Sequence, residues 1–336
     1  MKKVTIIGAG SFGTALAIVL ARAGNKVQLW AREPEIASGI NNRHENPAYL
    51  SDVTLPDSIV CFTSLEECLK ERDMIVFATP SHALREVAEK VKPHISGKEI
   101  LVNVAKGIEN DTFMTMSQVL ASVFEGAILD DQIGVLSGPS HAEEVGTFKP
   151  TTVVATSNSK RTARIIQETF MTPMFRIYLN YDIMGVEIGG AVKNIMAIAA
   201  GIIDGAGLGD NAKAAVITRG LHEMKRLGMQ LGASQDTFSG LSGIGDLVVT
   251  CTSEHSRNRF VGLNIGKGEN LDEVIDRMNM VAEGVKTTRA VHEWSQKLSV
   301  EMPITNAVYR ILVEGEEPKD MLYNLMTRNP KEEIII

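Results

Sequence analysis

In the first half of the chain, short runs of apolar, β-branched residues alternate with longer segments whose apolar positions recur every three or four residues. The short runs predict strands at residues 4–7, 27–30, 74–77, 100–104, 133–136 and 151–156. The longer segments, such as residues 14–22, 83–91 and 113–124, predict helices. Because alternating strands and helices form βαβ units, this half is predicted to be an α/β domain with a Rossmann-type, doubly wound, mostly parallel sheet.

The pattern changes near residue 181. Helical periodicity then dominates at residues 186–203, 212–227, 271–277, 287–297 and 307–313, with glycine-rich loops between several of these segments. An all-α C-terminal domain is therefore predicted. The expected domains are residues 1–182 and residues 183–336.

Composition supports two folded domains. The 336 residues fit two domains of roughly 150 residues each, and 44% hydrophobic with 22% charged residues is typical of a globular protein. The formal net charge of −7 argues against a nucleic-acid partner. Three cysteines without metal-ligand spacing predict neither a disulfide framework nor a metal site, and they fit a reducing, cytoplasmic location.

Two apolar stretches resemble targeting or membrane segments. Lys2 and Lys3 precede an apolar run like that of a signal peptide, but glycines interrupt it. The most apolar run, residues 188–203, contains Lys193 and Asn194. We therefore expect neither export nor an integral membrane segment. The apolar tail at residues 334–336 has no assigned role.

Gly8, Gly10 and Gly13 form a GxGxxG motif between the first predicted strand and the first predicted helix. In dinucleotide-binding folds these glycines permit a tight turn, close approach of a pyrophosphate, and close helix–strand packing. The N–H groups at the helix start then bind phosphate. The motif predicts a nicotinamide dinucleotide cofactor. The alternative is a glycine turn that binds no nucleotide.

Arg32 and Glu33 follow the second predicted strand. NAD sites usually place an acidic residue here, whereas an arginine can pair with the 2′-phosphate of NADP. Arg32 therefore favours NADP(H) over NAD(H). A small backbone shift would present Glu33 instead, and a solvated surface charge is a further alternative for Arg32.

Lys193 lies in a nearly apolar predicted helix, after Gly189 and Gly190. Burial disfavours an ammonium and lowers its pKa, so such a lysine can exchange protons near neutral pH. The two glycines leave room for another backbone or a ligand. The alternative is a structural lysine that either extends its ammonium to the surface or pairs with Glu187.

A second set of polar residues predicts an anion site. Asp246 follows a glycine-rich turn, and Ser256 is suited to cap a helix that begins at Arg257. Ser256, Arg257 and Asn258 would together bind a phosphate or a carboxylate. An ordinary capped helix with surface arginines is the alternative.

The sequence resembles the bacterial-type NAD(P)-dependent glycerol-3-phosphate dehydrogenases in segments spread, in order, over nearly the whole chain. The segments are residues 8–13, 105–107, 137–140, 189–194, 211–220, 240–252 and 256–259. The resemblance implies hydride transfer that interconverts dihydroxyacetone phosphate and sn-glycerol 3-phosphate, in support of phospholipid synthesis. It also implies a helical domain like that of 6-phosphogluconate dehydrogenase and a soluble homodimer.

The resemblance assigns roles at the reacting carbon. It makes Lys193 the general acid/base. Asp246 either binds the substrate hydroxyl or orients Lys193, and Lys106 adds positive potential where an alkoxide develops. The implied phosphate contacts are Ser256, Arg257, Asn258, Gly138 and Ser140. The implied cofactor contacts are Gly8, Gly10, Ser11, Phe12, Gly13, Arg32, Lys106, Ala142, Arg257, Val281 and Glu283.

Two expectations concern charge near this site. Because the protein is acidic overall, its cations must concentrate where it binds anions, and Lys106, Lys193, Arg257 and Arg259 are expected to converge. His141, which resembles no metal ligand, is expected on a solvated helix face.

Two other functions compete with this one. A β-hydroxyacid dehydrogenase or ketopantoate reductase has the same two-domain plan but binds a carboxylate. A catalytically silent nucleotide sensor would not require Lys193.

Overall fold

The computed structural model describes residues 1–278, 281–330 and 332–333, so residues 334–336 of the apolar tail lie outside the described residues. The strands of the first half are β1 (Lys3–Ile7), β2 (Lys26–Trp30), β3 (Ile59–Phe62), β4 (Met74–Phe77), β5 (Ile100–Asn103), β6 (Ile133–Ser137), β7 (Thr151–Ser157) and β8 (Phe175–Asn180). They form one sheet in the order β3-β2-β1-β4-β5-β6-β7-β8. All neighbouring strands pair in parallel except β6 and β7.

Helices cover both faces of this sheet. They are α1 (Ser11–Arg22), α2 (Pro34–Ser38), α3 (Leu65–Cys68), α4 (Leu84–Val91), α5 (Met116–Val123), α6 (Ala142–Gly146) and α7 (Lys160–Phe170). Successive strand residues serve opposite faces. In β1, Ile6 packs in the cluster that contains Leu16 of α1, whereas Ile7 packs in the cluster that contains Leu120 of α5. The predicted doubly wound, mostly parallel sheet is confirmed.

Two strands were not predicted from the sequence. β3 and β8 are the two edges of the sheet. In β8 buried and exposed positions alternate, with Phe175 and Ile177 buried and Arg176 and Tyr178 exposed. This alternation means that β8 lacks the continuous apolar run of a central strand, whereas the apolar run of β3 is only four residues long and was overlooked.

The second half consists of helices. They are α8 (Ile183–Gly205), α9 (Asp210–Gln230), α10 (Asp246–Thr252), α11 (Arg257–Gly266), α12 (Leu271–Asp276), α13 (Glu283–Lys297), α14 (Pro303–Tyr309) and α15 (Pro318–Met326). The predicted all-α character is confirmed, because the described residues after Asn180 form no strand. Only α8, among the described helices, is long and apolar enough to cross a membrane, and its apolar window is entirely buried inside the protein. It is the core helix of this half.

Helices α8 and α11 pack with their backbones in direct contact. A Cβ atom at Gly201 of α8 would lie 2.1 Å from the carbonyl oxygen of Arg259, and one at Gly262 of α11 would lie 2.0 Å from that of Ile198. Gly205 and Gly266 make equally close approaches one turn further along. Only glycine permits such contact. The start of α11 is thereby held at a fixed position on α8.

Candidate active site

A cleft of about 550 Å³ lies where the carboxyl ends of the central strands meet the helical half. Its walls include the glycine turn after β1, the loops after β5 and β6, the middle of α8, and the segment that joins α10 to α11. Ligands of doubly wound sheets bind at this edge. Both halves of the chain therefore contribute to one site.

The glycine turn fits a dinucleotide. Gly8 has a φ of 117°, and a Cβ atom there would lie 2.8 Å from the carbonyl oxygen of Ala78. A Cβ atom at Gly13 would lie 2.0 Å from the carbonyl oxygen of Gly8, whereas Gly10 faces open space. Helix α1 begins at Ser11 without an acidic residue in its first turn. Its positive end therefore faces the cleft and suits a pyrophosphate.

Arg32 lies on the cleft wall beyond this turn, together with Glu33 and Tyr49. The guanidinium forms an ion pair with the Glu33 carboxylate at 2.8 Å, and 83% of the Arg32 side chain is exposed. Arg32 and Glu33, the two residues that the sequence predicts beside the cofactor ribose, thus lie at the same place on the cleft wall. An exposed pair of this kind is weak and can be broken by a ligand phosphate.

A buried cluster of two lysines and one carboxylate lies deep in the cleft. Asp246 is 1% exposed, and its two oxygens bind different ammonium groups. Oδ1 accepts from Lys193 Nζ, and Oδ2 accepts from Lys106 Nζ at 2.7 Å. Lys193 also donates to Thr250 Oγ1 at 2.8 Å. The cluster joins the sheet half, through Lys106, to two helices of the other half.

The alternative partner of Lys193 is not used. Glu187, nearly two turns earlier on α8, is buried against the sheet half. It accepts a hydrogen bond from the Ser117 main-chain N–H at 2.9 Å and a second from the Ser117 hydroxyl. The pairing of Lys193 with Glu187 is therefore wrong.

Burial and charge determine how the cluster ionises. Burial lowers the pKa of Lys193 to about 7, with the Asp246 carboxylate opposing this effect and Lys106 adding to it. Burial alone would raise the pKa of Asp246, but the ammonium groups of Lys106 and Lys193 outweigh it and lower that pKa. A group that gains and loses its proton near neutral pH thus lies beside a carboxylate that stays ionised.

Glycines in α8 make room for this cluster. A Cβ atom at Gly189 would lie 2.2 Å from the carbonyl oxygen of Ser242, in the turn over Leu241–Gly245 that precedes Asp246. One at Gly190 would lie 3.4 Å from Cγ of Lys106. The sequence prediction that these glycines admit another backbone is confirmed for Gly189, and Gly190 admits the lysine stem.

The start of α11 is organised by its own hydrogen bonds. Ser256 caps the helix by accepting from the Arg259 main-chain N–H at 3.2 Å. Asn258 Oδ1 accepts from the Gly284 main-chain N–H at 2.9 Å, and Arg257 donates to the Val281 carbonyl oxygen at 3.2 Å. A capped helix start with a charged fork beside it suits an anion.

Arg259 does not join the cationic group, so that expectation is wrong. Its guanidinium binds the Asp204 carboxylate with nitrogen–oxygen distances of 2.8 and 2.7 Å. Lys213 binds the other oxygen of Asp204 at 2.5 Å. Positions two apart on a helix point in different directions, so Arg257 faces the cleft while Arg259 faces the end of α8.

Most of the sequence-predicted site residues line this one cleft. They are Gly8, Gly10, Ser11, Phe12, Arg32, Lys106, Ser140, Ala142, Lys193, Ser256, Arg257, Asn258, Val281 and Glu283. Gly138 lies beneath it, with a φ of 137° and a carbonyl oxygen that accepts from Lys106 at 2.8 Å and from the Ser140 hydroxyl at 3.0 Å. Gly13 packs directly against the backbone of Gly8 in the glycine turn.

Glu283 has a second contact that the sequence did not indicate. Its carboxylate accepts from the main-chain N–H of Ser81 at 2.9 Å and from the hydroxyl of Ser81. Ser81 follows β4 in the sheet half, so Glu283 connects the two halves at the cleft rim.

The structure also places residues in the cleft that sequence reasoning missed. Tyr49, His82, His255 and Thr79 line it, and so does His141. The expectation that His141 lies on a solvated helix face is wrong, because it precedes α6 and its side chain turns towards α10. Its place directly after Gly138 and Ser140 was the signal that could have found it.

Comparison with known proteins identifies the family. A family model described as NAD-dependent glycerol-3-phosphate dehydrogenase N-terminus matches residues 3–163, and the corresponding C-terminus model matches residues 182–323. The chain belongs to this family. The dehydrogenase is 55% identical over 332 residues to the NAD(P)+ glycerol-3-phosphate dehydrogenase of Chlorobium phaeobacteroides (strain BS1). The aligned residues cover 99% of each of the two chains.

Two further relatives agree with this assignment. The dehydrogenase is 53% identical over 333 residues to NAD(P)+ glycerol-3-phosphate dehydrogenase 1 of Salinibacter ruber, covering 99% of this chain and 97% of that relative. It is similar to the crystal structure of glycerol-3-phosphate dehydrogenase from Coxiella burnetii, with a TM-score of 0.93 and 40% identity over 97% of this chain and 99% of that one. The expectation of an NAD(P)-dependent oxidoreductase of this family is confirmed.

Proposed function

We propose that this dehydrogenase interconverts dihydroxyacetone phosphate and sn-glycerol 3-phosphate in the cleft, with Lys193 as the general acid and base. The observation that carries the proposal is the buried Lys193 amine, which contacts Asp246 and Thr250 and has its pKa lowered to about 7. A group with such a pKa can both donate and accept a proton at physiological pH.

Proton transfer follows from the charge state of Lys193. In the reducing direction its ammonium donates a proton to the C2 oxygen of the ketone. In the oxidising direction the neutral amine accepts the proton of the C2 hydroxyl. The nicotinamide, when bound, supplies or accepts the hydride at C2. Thr250 and Asp246 hold the amine in place through both directions.

Lys106 and Asp246 support this step. The Lys106 ammonium is fixed between Asp246 and the carbonyl oxygen of Gly138, so its charge is preorganised near the C2 oxygen. Asp246 holds Lys106 and Lys193 at the same time, which favours its role as the group that orients Lys193 over that of a direct ligand for the substrate hydroxyl.

The substrate phosphate would bind at the start of α11. Ser256 and Asn258 are buried there, and Arg257 contributes a charged fork. Gly138 and Ser140 would close this subsite from the sheet half. Arg257 at the phosphate, with Lys106 and Lys193 at the C2 oxygen, would place three cationic groups around a dianionic substrate.

The glycine turn would hold the cofactor pyrophosphate, with Gly8, Gly10 and Gly13 shaping it and Ser11 and Phe12 beginning α1. Ala142, Val281 and Glu283 would contact the nicotinamide half. Arg32 would favour NADP(H) by exchanging Glu33 for a 2′-phosphate. If Arg32→Ala leaves the ratio of kcat/KM for NADPH and NADH unchanged, this preference is contradicted.

Other features of the proposal rest on the family. We propose a dinucleotide-binding domain at residues 1–182 and a catalytic domain at residues 183–336, supported by the end of β8 at Asn180 and the start of α8 at Ile183. We also propose a cytoplasmic homodimer that supplies glycerol 3-phosphate for phospholipid synthesis. A monomeric mass in light scattering would contradict the homodimer.

A substrate panel tests the activity. We expect loss of NADPH absorbance with dihydroxyacetone phosphate, and little loss with dihydroxyacetone or ketopantoate, which lack the phosphate. Equal or better turnover of ketopantoate would favour the ketopantoate reductase alternative. No turnover of any ketone would favour the silent nucleotide sensor.

Replacement of the lysine tests its role. Lys193→Ala should lower kcat by roughly 10²–10⁴-fold, the range for loss of a general acid or base, while NADPH binding measured by fluorescence changes little. Lys90→Ala, at an exposed lysine that forms an ion pair with Glu86 of the same helix, is the matched control. Activity that survives Lys193→Ala would contradict the assignment.

A further inference from the structure

A buried asparagine contacts the glycine turn, and the proposed function leaves it without a role. Asn46 is 1% exposed and lies between α2 and β3. Its side-chain nitrogen donates to the main-chain carbonyl oxygen of Ala9 at 2.9 Å and to the hydroxyl of Thr14 at 2.9 Å. Ala9 is the residue between the first two glycines of the turn. Asn46 is thus bonded directly to the turn that would hold the cofactor.

Asn46, Ala9 and Thr14 form a closed set of three hydrogen bonds. The hydroxyl of Thr14, a fully buried residue of α1, donates to the same carbonyl oxygen of Ala9 at 3.3 Å. A side-chain amide has two N–H donors and a hydroxyl has one, so the set uses all three donors. Two donors therefore hold the Ala9 carbonyl oxygen on the interior side of the turn.

This set of bonds fixes the peptide that joins Ala9 to Gly10. The peptide is trans, and the C=O and N–H groups of a trans peptide point in opposite directions. Since the carbonyl oxygen of Ala9 is bonded in the interior, the N–H of Gly10 points to the other side. Gly10 lines the cleft and faces open space. There is therefore room for a ligand beside this residue.

The segment that carries Asn46 also forms part of the cleft wall. Tyr49 lines the cleft together with Arg32, and its main-chain N–H donates to the carbonyl oxygen of Asn46 at 3.2 Å. The N–H of Leu50 donates to the same oxygen at 2.8 Å. Leu50 is buried against α6, where a Cβ atom at Gly146 would lie 2.9 Å from its Cδ2. Asn46 thus connects a firmly packed part of the cleft wall to the glycine turn.

We propose that Asn46 is a positioning residue for the cofactor, which orients the Ala9–Gly10 peptide so that the Gly10 N–H donates to the cofactor pyrophosphate. This inference rests on the proposed function, which places the pyrophosphate at the glycine turn. Without Asn46 the peptide is less restrained, and part of the binding free energy is spent on restoring its orientation. Because Asn46 acts through the turn, its loss weakens dinucleotide binding and leaves the chemical step intact.

Two nucleotides that share the pyrophosphate test this role. NADPH and NADH differ only in the 2′-phosphate, which the proposed function places at Arg32. Asn46→Leu keeps a similar shape without the donors, so it should raise the Kd of both nucleotides roughly 10-fold in fluorescence titrations. The ratio of the two Kd values should stay unchanged, whereas Arg32→Ala should alter it. The kcat at saturating NADPH should change little.

Asn41→Leu is the matched control. Asn41 lies in the same connection between α2 and β3, but its side chain accepts from the N–H of Cys61 at 2.8 Å and donates to the Cys61 carbonyl oxygen at 2.7 Å. The control should leave both Kd values unchanged. The proposal is overturned if Asn46→Leu causes no loss, if its loss is confined to NADPH, or if Asn41→Leu causes an equal loss.

A second pair of variants tests the same peptide if Asn46→Leu does not fold. Thr14→Val removes one donor to the Ala9 carbonyl oxygen and should raise both Kd values by a smaller factor, roughly 2–5-fold. Thr14→Ser keeps the hydroxyl and should retain the original values. Unchanged binding in Thr14→Val would contradict the role of these bonds while leaving the proposed function standing. If the unmodified enzyme binds neither nucleotide, the proposed function fails and the role of Asn46 is overturned with it.

Discussion

At the scale of single residues, the site depends on one carboxylate that serves two ammonium groups. Asp246 is almost fully buried and binds both Lys193 and Lys106. Burial of three charges is costly unless each is paired. Burial lowers the pKa of Lys193 to about 7, and the second cation, Lys106, adds to this effect while Asp246 opposes it, so Lys193 can lose its proton near neutral pH.

This charge balance predicts opposite pH profiles for the two directions. Reduction requires the protonated amine, so kcat/KM for dihydroxyacetone phosphate should fall as pH rises through about 7, the pKa of Lys193. Oxidation requires the neutral amine, so kcat/KM for glycerol 3-phosphate should rise over the same range. kcat/KM is the right measurement because it reports the free enzyme.

The substrate provides the control for these profiles. Its phosphate ionises near pH 6, and this affects both directions in the same sense. A difference in sign between the two profiles therefore isolates the amine. Profiles that move in the same sense would contradict a single acid/base group at Lys193.

Arg257 gives a second prediction at this scale. Arg257→Ala should raise the KM for dihydroxyacetone phosphate roughly 10–100-fold, the loss expected for a hydrogen bond to a charged group, with a smaller effect on kcat. Steady-state kinetics at saturating NADPH measure both. Arg289→Ala is the control, since Arg289 is exposed and forms an ion pair with Glu293 of its own helix. An unchanged KM would remove Arg257 from the phosphate subsite.

Sequence alone could predict many of these residues but not their contacts. Lys193 could be identified because a charged residue in an apolar helix is costly to bury. The glycine turn could be identified because glycine readily adopts the backbone conformation that such a turn requires. The residues alone could not show the partner of Lys193, because Asp246 lies 53 positions away along the chain. Only the resemblance to the family offered Asp246 as a group that orients Lys193. Glu187, the nearer carboxylate, is bound instead by Ser117.

At the scale of elements, the position of the phosphate subsite depends on the packing of α11 against α8. The four glycines at 201, 205, 262 and 266 bring the two backbones together. Their spacing of four residues was visible in the sequence. The helix contact that this spacing permits could not be predicted, because glycine repeats also occur in turns. Nothing in the local sequence shows which two helices will pack together. The edge strand β8 was missed because its buried and exposed positions alternate, so it has no continuous apolar run.

Gly262→Ala should disturb both stability and substrate binding. The added methyl would meet the carbonyl oxygen of Ile198, which is main chain and cannot move aside. We expect a loss of about 1–3 kcal/mol in the free energy of unfolding, measured by denaturant titration. The KM for dihydroxyacetone phosphate should rise as well, because α11 carries Ser256 and Asn258.

Gly220→Ala is the matched control for this packing. Gly220 is also a buried helical glycine, but the three atoms nearest to a Cβ atom there all belong to the flexible side chain of Met196. The gain in helix propensity of about 1 kcal/mol relative to glycine offsets part of the crowding. If both variants lose equal stability, contact between the two backbones is not what fixes α11.

At the scale of the whole molecule, three carboxylates of the helical half, among the described residues, bind polar groups of the sheet half. Glu187 binds Ser117, Glu283 binds Ser81, and Asp246 binds Lys106. In each pair the carboxylate belongs to the helical half. Because carboxylates left without their partners cost about 1–3 kcal/mol or more, these contacts oppose a wide rotation of one half against the other.

We therefore predict that ligands close the cleft by local movements and not by a large rotation of the domains. Small-angle scattering of the enzyme, alone and with NADPH and glycerol 3-phosphate, should give the same radius of gyration within about 1 Å. Closure about a hinge moves whole domains and would change this radius, whereas local loop movements would not. Glu187→Gln places an amide N–H₂ group where the Ser117 N–H and hydroxyl donate, so it should loosen the contact and increase any difference. A large ligand-induced change in the unmodified enzyme would show that these contacts break during the catalytic cycle, and that the halves are held together more weakly than their burial implies.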